Sequence, residues 1–147
     1  MNKAASSPVV LSLGPNSVNA YRNELCKRAL SDGGCTINTN AYNAAINHGF
    51  VVGGAGPVLT VRIDHNDTEK SLKEKKHEIN AWLKDGLDHD GYPKYSYVGS
   101  WEFDGTFYFD WSDVIFDRDD AIALAHKRNE LAIYDAANAE SIDIPKG

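Results

Sequence analysis

Residues 95–135 read YSYVGSWEFDGTFYFDWSDVIFDRDDAIALAHKRNELAIYD, and this stretch decides the fold. Asp104-Gly105 is a two-residue type I′ turn signal, because both central residues of that turn need φ > 0. Aromatic and β-branched residues flank it on both sides, which predicts a hairpin. A two-residue loop sets the register: Phe103 opposite Thr106, Trp101 opposite Tyr108, Gly99 opposite Asp110. Those pairs share a face with Tyr97 and Tyr95. The other face carries Val98, Phe107, Phe109 and Trp111, with Ser100 and Glu102 near the tip. Large aromatics therefore occupy both faces, unlike a sheet with one wet side. Helices over both faces are the expected arrangement, because aromatic pairs commonly stabilise a sheet. The rival reading makes one aromatic face a contact surface.

Beyond the hairpin, Asp117 reads as a helix N-cap, with acid in the first turn at Asp119 and Asp120. Ala121, Leu124, Ala125 and Arg128 share one side of that helix, and Asn129 is a left-handed stop. Leu131 to Tyr134 then form a strand, completing a ββαβ unit.

Upstream, Pro8–Leu13 reads as a short strand. Asn16 or Ser17 caps a helix running to about Ser31, with Val18, Tyr21, Leu25 and Ala29 as its apolar stripe. Gly33-Gly34 ends it, and Cys35–Asn38 is a strand. Residues 39–48 are Asn-rich and read as a loop or a single helical turn. Strands at Gly49–Gly53 and Val58–Ile63 flank GGAGP. Those glycines make a flexible turn rather than a phosphate loop, since no helix start follows them. Thr68 caps a helix to about Asp85 with a stripe of Leu72, Ile79, Trp82 or Leu83, and Leu87. Its lysines, Lys70, Lys73, Lys75 and Lys76, are a solvated face.

The expectation is one α+β domain over residues 1–147: a mostly antiparallel sheet, about three helices and the C-terminal ββαβ unit. Residues 1–7 and about 137–147 are expected to be loose tails. The 147 residues are enough for a real core. The net charge of −6 argues against direct nucleic-acid binding, which needs clustered Lys and Arg. An acidic surface suits solubility or a basic partner. Cys26 and Cys35 read as free thiols, though a bridge between them is open on sequence grounds. No apolar run approaches the roughly 20 residues of a membrane span, and the N-terminus lacks a signal-peptide core. The cytoplasm of the host cell is the expected location.

The candidate chemistry is sparse. His65 with Asp64 and Asp67, and His89 between Asp88 and Asp90, are loop neighbours without metal-site spacing. There is no GxSxG or HExxH, so neither a catalytic set nor a metal or other cofactor is expected. Among the acids Asp110, Asp113, Asp117, Asp119 and Asp120, Asp110 stands out. A strand acid amid aromatics must be paired, wet or functional.

Several of these residues also form a pattern: Gly99-Ser100-Trp101, Tyr108–Asp110, Asp117–Ala121, Asn129 and Ala132–Asp135, with Gly33–Asn38 and Gly49–Val52 more loosely. The run resembles a family of small accessory proteins encoded by phages and integrated elements. It covers about residues 33–143 and leaves the first helix outside. Where that family has Gln after the Asn, this chain has Glu130. The resemblance implies a context and no catalytic residues. In that context the expected function is to bind and inhibit a host protein, such as a nuclease or CRISPR effector, as an anti-CRISPR or anti-restriction protein. Trp101, Phe103, Tyr108 and Asp110 are the expected contacts, because aromatic anchors dominate interfaces. The alternatives are a nucleotide-signal binder, an enzyme built on Asp110, and a homodimer closing over the aromatic face.

Overall fold

The computed structural model describes residues 15–39, 46 and 48–145. The hairpin forms as its turn dictates. Strand β4 (Tyr97–Phe103) pairs with β5 (Thr106–Ile115) in the expected register, Phe103↔Thr106, Trp101↔Tyr108 and Gly99↔Asp110. Asp104 and Gly105 adopt φ of 51° and 82°, the positive values a type I′ turn needs. Gly105 N also donates to the Glu102 carboxylate at 2.7 Å.

The other elements assemble around β5. Helix α1 (Pro15–Asp32) leads into β1 (Gly34–Asn38), which pairs antiparallel with β4. The helix begins at Pro15, so Asn16 and Ser17 lie inside it rather than capping it; proline suits a first helical turn, where no N–H is required. Strands β2 (Phe50–Val52) and β3 (Leu59–Arg62) precede α2 (Glu69–Asp85). Thr68 caps α2 by accepting from Ser71 N at 3.1 Å. Helix α3 (Arg118–Lys127) follows β5, capped by Asp117, whose carboxylate accepts from Asp120 N at 2.9 Å. Strands β6 (Ala132–Asp135) and β7 (Glu140–Asp143) close the chain.

The seven strands run β1-β4-β5-β2-β6-β7, with β3 also on β5, and every pairing is antiparallel. This is the mostly antiparallel α+β architecture expected. β5 is long enough to serve two sheets. Its first half pairs with β4 and β3, its last three residues with β2.

Two apolar clusters match these halves. In the larger, Val18, Tyr21, Leu25 and Ala29 of α1 and Ile79, Trp82 and Leu83 of α2 meet Val98, Phe107, Phe109 and Trp111 of the hairpin. Trp111 stacks on Trp82 at 4.4 Å and on Tyr95 at 5.0 Å. The Trp82 N–H donates to Pro57 O at 2.9 Å, so burial leaves no orphan donor. Buried Ser100 donates to Leu25 O at 2.7 Å and ties β4 to α1. In the smaller cluster Ala121 and Ala125 of α3 pack on Val52, Ile133 and Ile144.

Four expectations change. Helices α1 and α2 both lie on the Val98–Trp111 face, and among the described residues no helix covers the Trp101 face, where Trp101 is 49% exposed. Tyr95 precedes the strand and turns into the core against Trp111 instead of lying beside Trp101. Residues 137–145 are not a loose tail: β7 pairs with β6, and Ile144 is buried. The closing strand starts one residue late, leaving Leu131 79% exposed. The predicted strand at Pro8–Leu13 and most of the loop at 39–48 lie outside the described residues.

Gly86 marks how tightly the larger core closes. A Cβ there would stand 2.2 Å from the Trp111 ring. The backbone φ of −81° is ordinary, so the constraint is space alone. Gly86→Ala is expected to destabilise by about 1–3 kcal/mol, the usual cost of overpacking, measurable by urea denaturation.

Candidate functional site

The open face is built row by row from the strand register. One row crosses Gly34, Trp101, Tyr108 and Thr60 on β1, β4, β5 and β3. The next holds Phe103, Thr106 and Arg62; on the other side lie Thr36, Gly99 and Asp110. Gly34 and Gly99 carry no side chain, so neither of those positions places a group over the indole. Trp101 and Tyr108 stack at 4.0 Å with 12° between their planes. Even so, Trp101 is 49% and Phe103 68% exposed. Arg62 borders this patch, donating to Asp104 O at 2.8 Å and to Thr106 Oγ1 at 3.2 Å, with its Nε paired to exposed Asp64 at 3.0 Å.

Asp110 stands at a different kind of place. β3 ends its pairing at Phe109, and β2 begins its own at Asp113. Residues 53–58 fill the gap between them. Gly54 N donates to both Asp110 oxygens at 3.1 and 3.2 Å, and Ala55 N donates to Trp111 O at 3.0 Å. The stretch expected to be a flexible turn is thus bonded along its length.

The end of α3 supplies the rest. Asn129 takes φ of 58°, Glu130 N reaches back to Ala125 O at 2.9 Å, and Asn129 N reaches His126 O at 3.1 Å. This pair of bonds is a Schellman motif. It turns Arg128 and Glu130 toward the gap. Arg128 donates to Asp113 at 2.6 Å, to Gly53 O at 3.1 Å and to Val52 O at 3.4 Å. A Cβ on Gly53 would stand 2.1 Å from Asp110 Oδ2 and 2.9 Å from Glu130 Oε1. Both oxygens surround that one point, so they are at most about 5 Å apart. Only glycine fits between them.

Two carboxylates this close, with one cation already engaged by Asp113, disfavour full ionisation. Burial pushes Asp110 up to about 6, and the Glu130 charge adds to it, while the Gly54 amide and Arg128 pull the other way. Burial also raises Glu130, opposed by Arg128. Asp110 therefore takes up a proton at a higher pH than an ordinary carboxyl. The pair's oxygens are turned to the Gly53-Gly54 backbone, and they join the two halves of the sheet.

Of the four residues expected as contacts, the structure brings Trp101, Phe103 and Tyr108 together on open surface and places Asp110 at their inner margin. Asp117 and Asp120 are used in the α3 cap. His65 and His89 are exposed, and His89 lies 3.4 Å from the Asp90 carboxylate. Among the described residues, no group of three or more His, Cys, Asp or Glu is placed to hold a metal. Cys26 and Cys35 are free, and burial raises both thiols. No helix among the described residues is long and apolar enough to cross a membrane.

Sequence reasoning missed Gly53, Arg128 and Glu130 as Asp110's surroundings. Glu130 drew notice only as a departure from the Gln of the resembling pattern. No protein-family model, curated protein or solved structure matches the chain.

Proposed function

We propose that the protein works by binding another protein rather than by catalysis, and that a basic surface of that partner docks on the Trp101–Tyr108–Phe103 face. One observation carries this reading: a stacked Trp–Tyr pair held by a paired sheet, with the Trp101 ring about half in solvent. Such a cross-strand pair also stabilises the sheet, but unlike Trp82–Trp111 it leaves the Trp101 ring accessible to a partner. Tryptophan and tyrosine are frequent interface anchors, since they offer large rigid area at little entropic cost. Their faces also attract Arg and Lys side chains. The net charge of −6 favours the same kind of partner.

In the context that the phage-protein resemblance implies, the partner is a host factor. Nucleases and CRISPR effectors expose basic surfaces to hold phosphates. An acidic protein with aromatic anchors is suited to occupy such a surface and so inhibit it. Asp110, at the margin of the patch, would add charge there when ionised.

Retention of host proteins on the immobilised chain tests this, with Trp101→Ala and Phe103→Ala as controls. Both positions are exposed, so each variant is expected to fold. The expected result is a basic partner held by wild type, released by moderate salt, and lost from both variants. Unchanged retention by folded variants would reject the surface. Self-association of wild type that the variants lose would instead make the face a homodimer contact.

A further inference from the structure

A cleft of about 300 Å³ opens on the helix side of the molecule, lined by Glu102, Gly105 and Phe107 on the face of the hairpin opposite Trp101 and Tyr108. Its walls are Cys26 and Leu30 of α1, Leu72 and Ile79 of α2, and Ile63 and Phe107 at the hairpin end of the sheet. The lining is almost wholly apolar. This size is at the small end of ligand clefts.

The rim carries the opposite character. Arg22, Lys75 and Lys76 surround the opening in a chain that is acidic as a whole. Lys75 is spoken for by Asp67, at 2.7 and 2.9 Å. Among the described residues no carboxylate pairs with the other two. Arg22 donates there to the amide oxygens of Asn19, Asn80 and Asn23, at 2.9–3.1 Å. Lys76 makes no hydrogen bond or ion pair among the described residues. Both charges act on the Cys26 thiol in the wall, so their fields reach inside. The single rim carboxylate, Glu102, is turned to Gly105 N. Leu30, 66% exposed, extends the apolar surface at the mouth.

An apolar trough beneath the Arg22 and Lys76 cations complements one kind of molecule: a hydrocarbon with a negative head. We propose that this cleft binds a small aliphatic carboxylate, with the chain along Leu72, Ile79 and Phe107 and the carboxylate between Arg22 and Lys76. The site is separate from the docking face, and either can stand without the other.

The test is an amide NMR titration of the full chain with monomeric decanoate, and in parallel with decyltrimethylammonium. Decanoate is expected to shift Cys26, Leu30, Leu72 and Lys76, and to bind at least about fivefold tighter than the cation. Lys76→Glu and Leu30→Asp, both at exposed positions, are expected to weaken it about two- to fivefold, the range an exposed charge supports. Equal affinity for the two ions, shifts elsewhere, or no change in either folded variant would overturn the proposal. So would binding to phosphatidylglycerol vesicles without binding to monomeric decanoate.

Discussion

Trp111→Ala is expected to destabilise the protein by about 3–5 kcal/mol, the range for removing a large buried aromatic. For a chain of this size that lowers Tm by about 10 °C or more. Trp111 is 1% exposed and stacked on both Trp82 and Tyr95, so its removal leaves a cavity that neither ring can fill without breaking another contact. Phe109, two residues earlier on the same face, also meets Trp82, at 6.0 Å. Thermal denaturation measures the effect. A loss below about 1.5 kcal/mol would mean that the core repacks easily and that the hairpin's inner face is not what holds the fold.

The second large effect is on pH dependence. Asp110 in the folded protein is pushed from 3.8 up to about 6, chiefly by burial. The folded state therefore binds this proton more tightly than the unfolded chain does. The contribution of this group is greatest below about pH 4 and is lost as pH rises through 6. In a fully buried site the rise from 3.8 to about 6 would correspond to about 3 kcal/mol. Partial solvation of Asp110 screens it, and about 1–2 kcal/mol is expected. Asp67, Asp88 and Asp135 are lowered by their hydrogen bonds and act in the opposite sense, but only as pH falls toward their ordinary range near 3.8. Between pH 8 and 5 the protein should thus gain stability on acidification. Asp110→Asn keeps an acceptor for Gly54 N and carries no charge beside Glu130. It should raise Tm at pH 7.5 and flatten the dependence between pH 5 and 8. A variant less stable than wild type at pH 7.5 would show that the ionised carboxylate is favourable where it stands.

The hairpin was legible because a two-residue turn reduces register to counting: once Asp104-Gly105 is placed, Trp101 must face Tyr108. The stripes of α1 and α2 were legible because Val18, Tyr21, Leu25 and Ile79 recur at helical spacing. Which face those helices choose was not, because both faces of β4–β5 are aromatic and local pattern cannot rank them. β7 was hidden for another reason. Its turn places Ala139 at φ of 53°, with no glycine to announce it. The Asp135 side chain supports the turn instead, accepting from Ala137 N, Asn138 N and Asn138 Nδ2 at 2.8–3.3 Å. The surroundings of Asp110 depend on where β5 changes partners and on how α3 ends. Gly53 and Glu130 are 77 residues apart in the sequence, and no local rule brings them together. Asp110 itself was conspicuous, as an acid on an aromatic strand, but its partners were not.

The hairpin's two faces differ in burial, Trp111 at 1% and Trp101 at 49% exposed, and the proposed function assigns recognition to the Trp101 face. The most direct test is the affinity of Trp101→Ala for the partner that wild type retains. That assignment predicts a loss of about 2 kcal/mol or more, roughly 30-fold in Kd, with Tm almost unchanged. An unaltered Kd for the folded variant would contradict it.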